Sequence, residues 1–163
     1  MREQKMSGAP SRQFNRPNVI ERAFNALFGL MVGLGLGRAY HYLLQVRGRK
    51  SGKLYSAPVY LLVIDDRRYL VCPRGRSQWV RNAETVGRVI LKRGSAQDEF
   101  KVRAVPDTEK PEILKTYLER FKTIVQRYFP VPAGSPASAF AEYVGRYPVF
   151  ELMISDRQNG AAT

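Results

Sequence analysis

"YHYLLQVRGRKSGKLYSAPVYLLVIDDRRYLVCP" runs from Tyr40 to Pro73, and its reading decides the architecture. Three apolar, β-rich runs (Tyr40–Val46, Leu54–Ile64 and Arg68–Pro73) are separated by two short polar turns. Strand, tight turn, strand, tight turn, strand is the pattern of an antiparallel meander. The first turn is notable for its charge. From Arg47 to Lys53 it holds four cations, two glycines and one serine. A turn needs only the glycines, which reach positive φ without steric cost. The cations call for another reason. Around a phosphate, Arg49 and Lys50 supply charge, Ser51 a hydroxyl, and the glycine-flanked backbone its N–H groups. Each charge-assisted bond contributes about 1.5–3 kcal/mol, so a few anchor a phosphorylated ligand. Without one, the turn is a solvated basic tip whose charges repel one another.

Downstream, "SQWVRNAETVG" reads as a short helix, with Ser77 as N-cap and Gly87 beyond its end. "RVILKRG" and "QDEFKVRAV" form a further hairpin that Pro106 terminates. Thr108–Phe129 carries the longest helical stripe: Ile113, Leu114, Tyr117, Leu118, Phe121, Ile124, Val125 and Tyr128. After a Pro- and Ser-rich loop, Ser135-Pro136 opens a short helix through Phe140 and Tyr143. Pro148–Ile154 is a last strand with Phe150, Leu152 and Ile154 on one face. Five or six antiparallel strands with helices in the connections make a mainly β, α+β fold, either a small barrel or a curled sheet.

Upstream, residues 1–17 are polar and basic and read as a mobile arm. Residues 18–38 read as an amphipathic to apolar helix, in which "ALFGLMVGLGLG" runs twelve residues without charge. That run is shorter than the roughly 20 apolar residues a bilayer span needs. It fits a helix packed on the domain, a helix resting in a membrane interface, or a processed segment. Residues 39–155 form the folded domain and 156–163 a tail.

The composition bounds the chemistry. The chain has 163 residues, with 27 Lys+Arg against 14 Asp+Glu, a formal charge of +13. Such an excess favours an anionic partner: nucleic acid, an acidic membrane surface, or a polyanionic cofactor or substrate. Cys72 is the only cysteine and His41 the only histidine, which excludes a disulfide framework and the usual zinc or iron sites. A reducing cytosol is the expected compartment. The basic turn is neither a P-loop nor a dinucleotide fingerprint, because the glycine spacing is wrong and no helix follows.

A second constellation lies in "PRGRSQWVRN". Arg74 and Arg76 flank a glycine past a strand end. Trp79 and Asn82 share a helix face and can offer an aromatic wall and an amide to one pocket. With the basic turn at its mouth, that pocket suits a planar, phosphorylated cofactor. A third group, Phe140, Tyr143 and Tyr147 beside Arg146, reads either as a lid over a substrate or as ordinary core.

"GRKSG", "P-V-Y" (Pro58–Tyr60), "W-V-R-N" (Trp79–Asn82), "V-x-L" (Val89–Leu91) and the late "R-Y-P-V-F-E-L", in this order, resemble the deazaflavin-dependent nitroreductases. The resemblance spans about Leu43 to Leu152. It implies a flavin-binding split β-barrel that holds coenzyme F-420, whose tail is a polyanion, and no metal. It implies that Arg49, Lys50 and Ser51 hold the phosphate. Tyr55, Ser56, Ala57, Pro58, Val59 and Tyr60 lie along the cofactor. Val71, Cys72, Pro73 and Arg74 lie near the ring, and Gln78, Trp79, Val80, Arg81 and Asn82 close on it. Tyr143 and Tyr147 orient the acceptor. Tyr55, Pro73 and Arg74 depart from the family's usual residues, so the implied activity is the wider oxidoreductase class, not nitroreduction in particular.

The leading expectation is an F-420H2-dependent reductase of a lipophilic, electron-poor acceptor: a quinone, a nitro compound or an unsaturated compound. One alternative keeps the barrel and gives it FMN. Another is a non-catalytic basic protein bound to membrane or nucleic acid, although no nucleic-acid recognition motif is visible. The resemblance also implies a homodimer and a cytoplasmic enzyme, with peripheral contact on the inner face of the membrane if residues 18–38 meet lipid.

Overall fold

The computed structural model describes residues 41–155, so the arm, the helix over 18–38 and the tail fall outside the described residues. Six strands form one closed antiparallel barrel: β1 (His41–Arg47), β2 (Leu54–Ile64), β3 (Arg67–Val71), β4 (Arg88–Arg93), β5 (Ala96–Ala104) and β6 (Val149–Ile154). The order around it is β1-β2-β3-β6-β5-β4. The meander β1-β2-β3 is as expected from the sequence. Closure comes from β1 pairing with β4 and from β6 inserted between β3 and β5.

The barrel wall is buried on both sides over much of its surface. Leu61 pairs with Leu70 and both face the barrel interior; the next pair, Leu62 and Tyr69, faces outward. Alternate residues thus serve two cores, which is why β2 reads as a continuous apolar run. The inner core joins Leu44, Leu70, Leu91, Phe100 and Phe150 to Val80 and Ala83 of helix α1 (Gln78–Val86), which closes one end. The outer core joins Leu62, Tyr69, Val71 and Val149 to helix α2 (Lys110–Val125).

Three local features differ from the sequence reading. Thr108–Phe129 is one helix only over Lys110–Val125, flanked by 3-10 turns at Asp107–Glu109 and Gln126–Tyr128. It bends at Phe121 (φ −117°, ψ 21°), where that ring packs against Tyr60 and Tyr117. The short helix through Phe140 is instead two 3-10 segments, Ala137–Phe140 and Val144–Arg146, because burying the Phe140 ring organises the segment more than helical periodicity does. Ser77 takes the N-cap position without capping; its hydroxyl accepts from the Cys72 thiol at 3.4 Å.

One ion cluster clamps the closure. Glu151 on β6 accepts from Arg67 on β3 at 2.6 and 2.8 Å, and from Arg103 on β5 at 2.6 and 2.9 Å. The Arg67 bonds are the main reason its carboxyl sits below the usual glutamate range; burial opposes them and Arg103 adds to them.

Candidate functional site

The basic turn is rigid. Gly48 N–H donates to the Lys53 carbonyl at 2.7 Å and Gly52 N–H to the Gly48 carbonyl at 2.9 Å. Gly52 has φ +66°, as a turn glycine should, whereas Gly48 is glycine for a different reason. A β-carbon there would sit 2.5 Å from Cε2 of Tyr55 and 2.7 Å from Oγ of Ser51. Tyr55 folds back over the turn, with its hydroxyl 3.2 Å from Ser51 Oγ.

Arg49, expected at the phosphate, is held on one side by α1. Its backbone N–H donates to Asn82 Oδ1 at 3.2 Å, and its Nη1 donates to Asn82 Oδ1 at 2.9 Å and to Gln78 Oε1 at 3.1 Å. Arg49 therefore ties the turn to α1, and Asn82, 4% exposed, is the buried anchor. Lys50 and Ser51, beside Arg49, are available to an anion, with Arg47, Lys53 and Arg81 nearby in sequence or on α1. Among the described residues, none of Lys50, Arg47, Lys53 and Arg81 has a carboxylate partner.

Several expected cofactor contacts are core side chains. Val59, Cys72 and Val80 belong to the inner core and Val71 to the outer one. They shape the site but present no side chain to it. Trp79 is half-buried and packs one side on Phe150, with ring centroids 5.9 Å apart. On β2, Pro58 is exposed and Ser56, Ala57 and Tyr60 are half-buried, with Ser56 Oγ 3.5 Å from Gln45 Nε2. Tyr60 meets Phe121 and the edge of His41, a packing role for the lone histidine.

The larger cavity, about 510 Å³, opens beyond the end of β3. Pro73, Arg74 and Gly75 line one wall, Arg127 to Pro130 another, and Arg146 and Tyr147 the third. Gly75 N–H closes a β-turn onto the Cys72 carbonyl at 3.1 Å, with Pro73 second and Gly75 fourth, as these residues prefer. Gly75 has φ +80°, and a β-carbon on it would lie 3.4 Å from the Arg146 carbonyl oxygen, so glycine also lets two walls approach. Gln78, bonded to Arg49, follows a few residues later, which places the basic turn and the cavity at opposite ends of one short segment.

Within this cavity the chemically distinctive group is Tyr128, which sequence reading assigned only to a helix stripe. Arg74 Nε donates to its hydroxyl oxygen at 3.2 Å. The Arg74 and Arg127 guanidiniums lie 5.6 and 4.8 Å from its ring centroid. Burial acts to raise the phenol, but Arg74 and Arg127 outweigh it and the net direction is down. Because the oxygen accepts from Arg74, its own proton stays free to be donated. Tyr147 is the opposite case. It is 3% exposed, stacks on Phe129 at 4.5 Å and donates its proton to the Tyr128 carbonyl at 2.7 Å; burial raises it. Tyr147, expected to orient the acceptor, braces the wall through this bond. Tyr143 is not among the lining residues and carries Arg146 over its ring at 5.1 Å. The sequence signal for Tyr128 was its place between Arg127 and Phe129-Pro130, where the helix must end.

The family model described as F-420H(2)-dependent quinone reductase matches residues 20–128, two thirds of the chain. No curated protein matches the sequence. Among solved structures, a protein of unknown function from Agrobacterium tumefaciens is similar at TM-score 0.53 and 15% identity, over 71% of this chain and 48% of that one. The chain thus spans about half the length of that protein. An F-420H2-dependent reductase, FDR-A, is similar at TM-score 0.48 and 17% identity, over 71% of this chain and 95% of that one. A protein solved as a domain-swapped dimer has TM-score 0.48 and 17% identity, over 83% and 96%.

Proposed function

The chain belongs to the F-420H2-dependent quinone reductase family, a family of F-420-dependent oxidoreductases, and from that premise we propose that it reduces a lipophilic, electron-poor acceptor, foremost a quinone, in the cavity beside Tyr128. The residues fit the cofactor. Its polyanionic tail meets a turn whose Lys50 has no carboxylate partner among the described residues, beside Arg47, Lys53 and Arg81. Lys50 and Ser51 would hold the phosphate, while Arg49 and Asn82 keep the turn in register with α1. Ser56, Pro58, Tyr60 and the Pro73–Arg74 turn would flank the ring. Bound F-420H2 supplies the hydride.

The chain's own task is to place the acceptor and handle the charge that appears on it. Hydride addition to a quinone leaves negative charge on one oxygen. Tyr128 donates its hydroxyl proton there, and its phenolate is held by Arg74 and Arg127 until water returns the proton. The single observation that carries this reading is the Arg74–Tyr128 bond at the cavity wall. Residues 39–155 act as the cofactor-binding domain. Residues 18–38, with their uncharged run, bring it to the lipid where quinones dissolve, and two copies pair as a homodimer.

A fluorescence titration with F-420 and, in parallel, FMN, at low and moderate salt, tests the reading. Micromolar F-420 binding that weakens about tenfold or more in Lys50→Ala, with poor FMN binding, is expected. Absence of F-420 binding would sink it.

A further inference from the structure

Several of the barrel's cations are matched by acids. Arg67 and Arg103 hold Glu151, Arg76 holds Glu84, Arg88 holds Glu99, and Lys110 holds Asp107. A smaller cavity of about 190 Å³ shares Arg146 with the larger one, and its Arg76 and Lys110 are among these paired groups. The larger cavity, like the basic turn, holds cations without such partners. Arg74, Arg127 and Arg146 all line it, no Asp or Glu does, and among the described residues none of the three makes an ion pair. Three guanidiniums around one concavity raise the local positive potential and favour an anion there.

The manner in which they are held points to the anion's shape. Arg74 is engaged through Nε with Tyr128. Arg127 lies over the Tyr128 ring at 4.8 Å and Arg146 over the Tyr143 ring at 5.1 Å. A guanidinium held beside an aromatic ring keeps further N–H groups for another partner, and a carboxylate can accept two parallel bonds from such a group. Pro73, Phe129, Pro130 and Tyr147 complete the lining. A volume of about 510 Å³ suits one small molecule of two or three fused rings. The family match ends at residue 128, so the wall bearing Arg146 lies outside it.

We infer that this cavity selects planar acceptors carrying a carboxylate, which Arg127 and Arg146 bind while Tyr128 faces the oxygen being reduced. The inference rests on the reductase reading and names the acceptor class of that same site. It does not depend on turnover to be seen, because the guanidiniums are present without cofactor.

The test begins with the full chain without cofactor, titrated calorimetrically with anthraquinone carboxylate and with its uncharged carboxamide. The carboxylate should bind at least about tenfold more tightly, and Arg146→Gln and Arg127→Gln should each remove most of that difference. Equal binding of the two probes overturns the inference. Rates with F-420H2 and a matched pair of naphthoquinones, one carboxylated, separate it from the broader reading. Turnover of both at the same kcat/KM leaves the reductase reading standing and overturns the carboxylate preference. No F-420H2 oxidation, with the calorimetric preference intact, overturns the reductase reading alone. If Arg146→Gln and Arg127→Gln instead weaken F-420 binding as Lys50→Ala does and leave the quinone carboxylate unaffected, the arginines serve the cofactor's tail and the inference is overturned.

Discussion

Tyr128 shows how one side chain's role follows from what its neighbours do to each of its atoms. Its oxygen accepts from Arg74, and two guanidiniums lower the phenol from its ordinary value against the effect of burial. A donor must be protonated, so activity should fall as pH rises through the lowered Tyr128 value. That alkaline limb should disappear in Tyr128→Phe together with about tenfold to hundredfold of kcat, a loss of the size expected for a missing general acid. Arg74→Gln should move the limb to higher pH. A pH–rate profile of the three proteins checks both statements; an unmoved limb in Arg74→Gln removes Tyr128 from the role. Gly48 is the second decisive residue. Gly48→Ala must push the half-exposed Tyr55 ring and the Ser51 hydroxyl aside, and we expect a loss of no more than about 1 kcal/mol in urea unfolding, with weaker F-420 binding. Gly48 was legible as a turn glycine, but its true constraint is a ring seven residues on, which no turn rule contains.

At the scale of elements, α1 and the β1–β2 turn behave as one unit because Asn82 and Gln78 hold Arg49. Each part was visible alone: a basic turn from its composition, and an amphipathic helix from its spacing and its terminal Gly87. Their union was not, since a hydrogen bond between residues 33 apart leaves no periodic trace. Asn82→Ala removes the buried acceptor of two donors, one of them charged. It should cost about 1.5–3 kcal/mol of stability and loosen the turn. Thermal unfolding should show the loss, and F-420 affinity should fall even though residue 82 carries no charge. Unchanged affinity at lowered stability would mean that the turn needs no support from α1. α2 teaches the complementary lesson. Its stripe was read correctly, but its last turn leaves the α-helix to set Tyr128 and Phe129 at the cavity wall.

For the whole molecule, the barrel's closure and its acid stability are linked through Glu151, which bridges β3, β6 and β5. Its folded value lies below the ordinary glutamate range. The stabilisation is therefore complete above that range and is lost as pH falls from there through the folded value. Glu151→Gln should cost about 1–2 kcal/mol at neutral pH, less than a fully buried pair because the arginines are partly exposed, and should flatten the acid limb of a stability–pH curve. An unchanged acid limb would place the molecule's acid sensitivity elsewhere. The sequence by itself determined the strands, the meander and the basic turn, because periodicity, turn chemistry and charge are local and written along the chain; the split-barrel likeness came from its motifs' resemblance to a family. Only the tertiary structure decided which strands close the ring, which core each apolar residue joins, and that Arg74 and Tyr128, 54 residues apart, share one cavity. The physical reason is that alternation says a strand has a buried face but not against what, and a site made from two distant loops exists only once the barrel has brought them together.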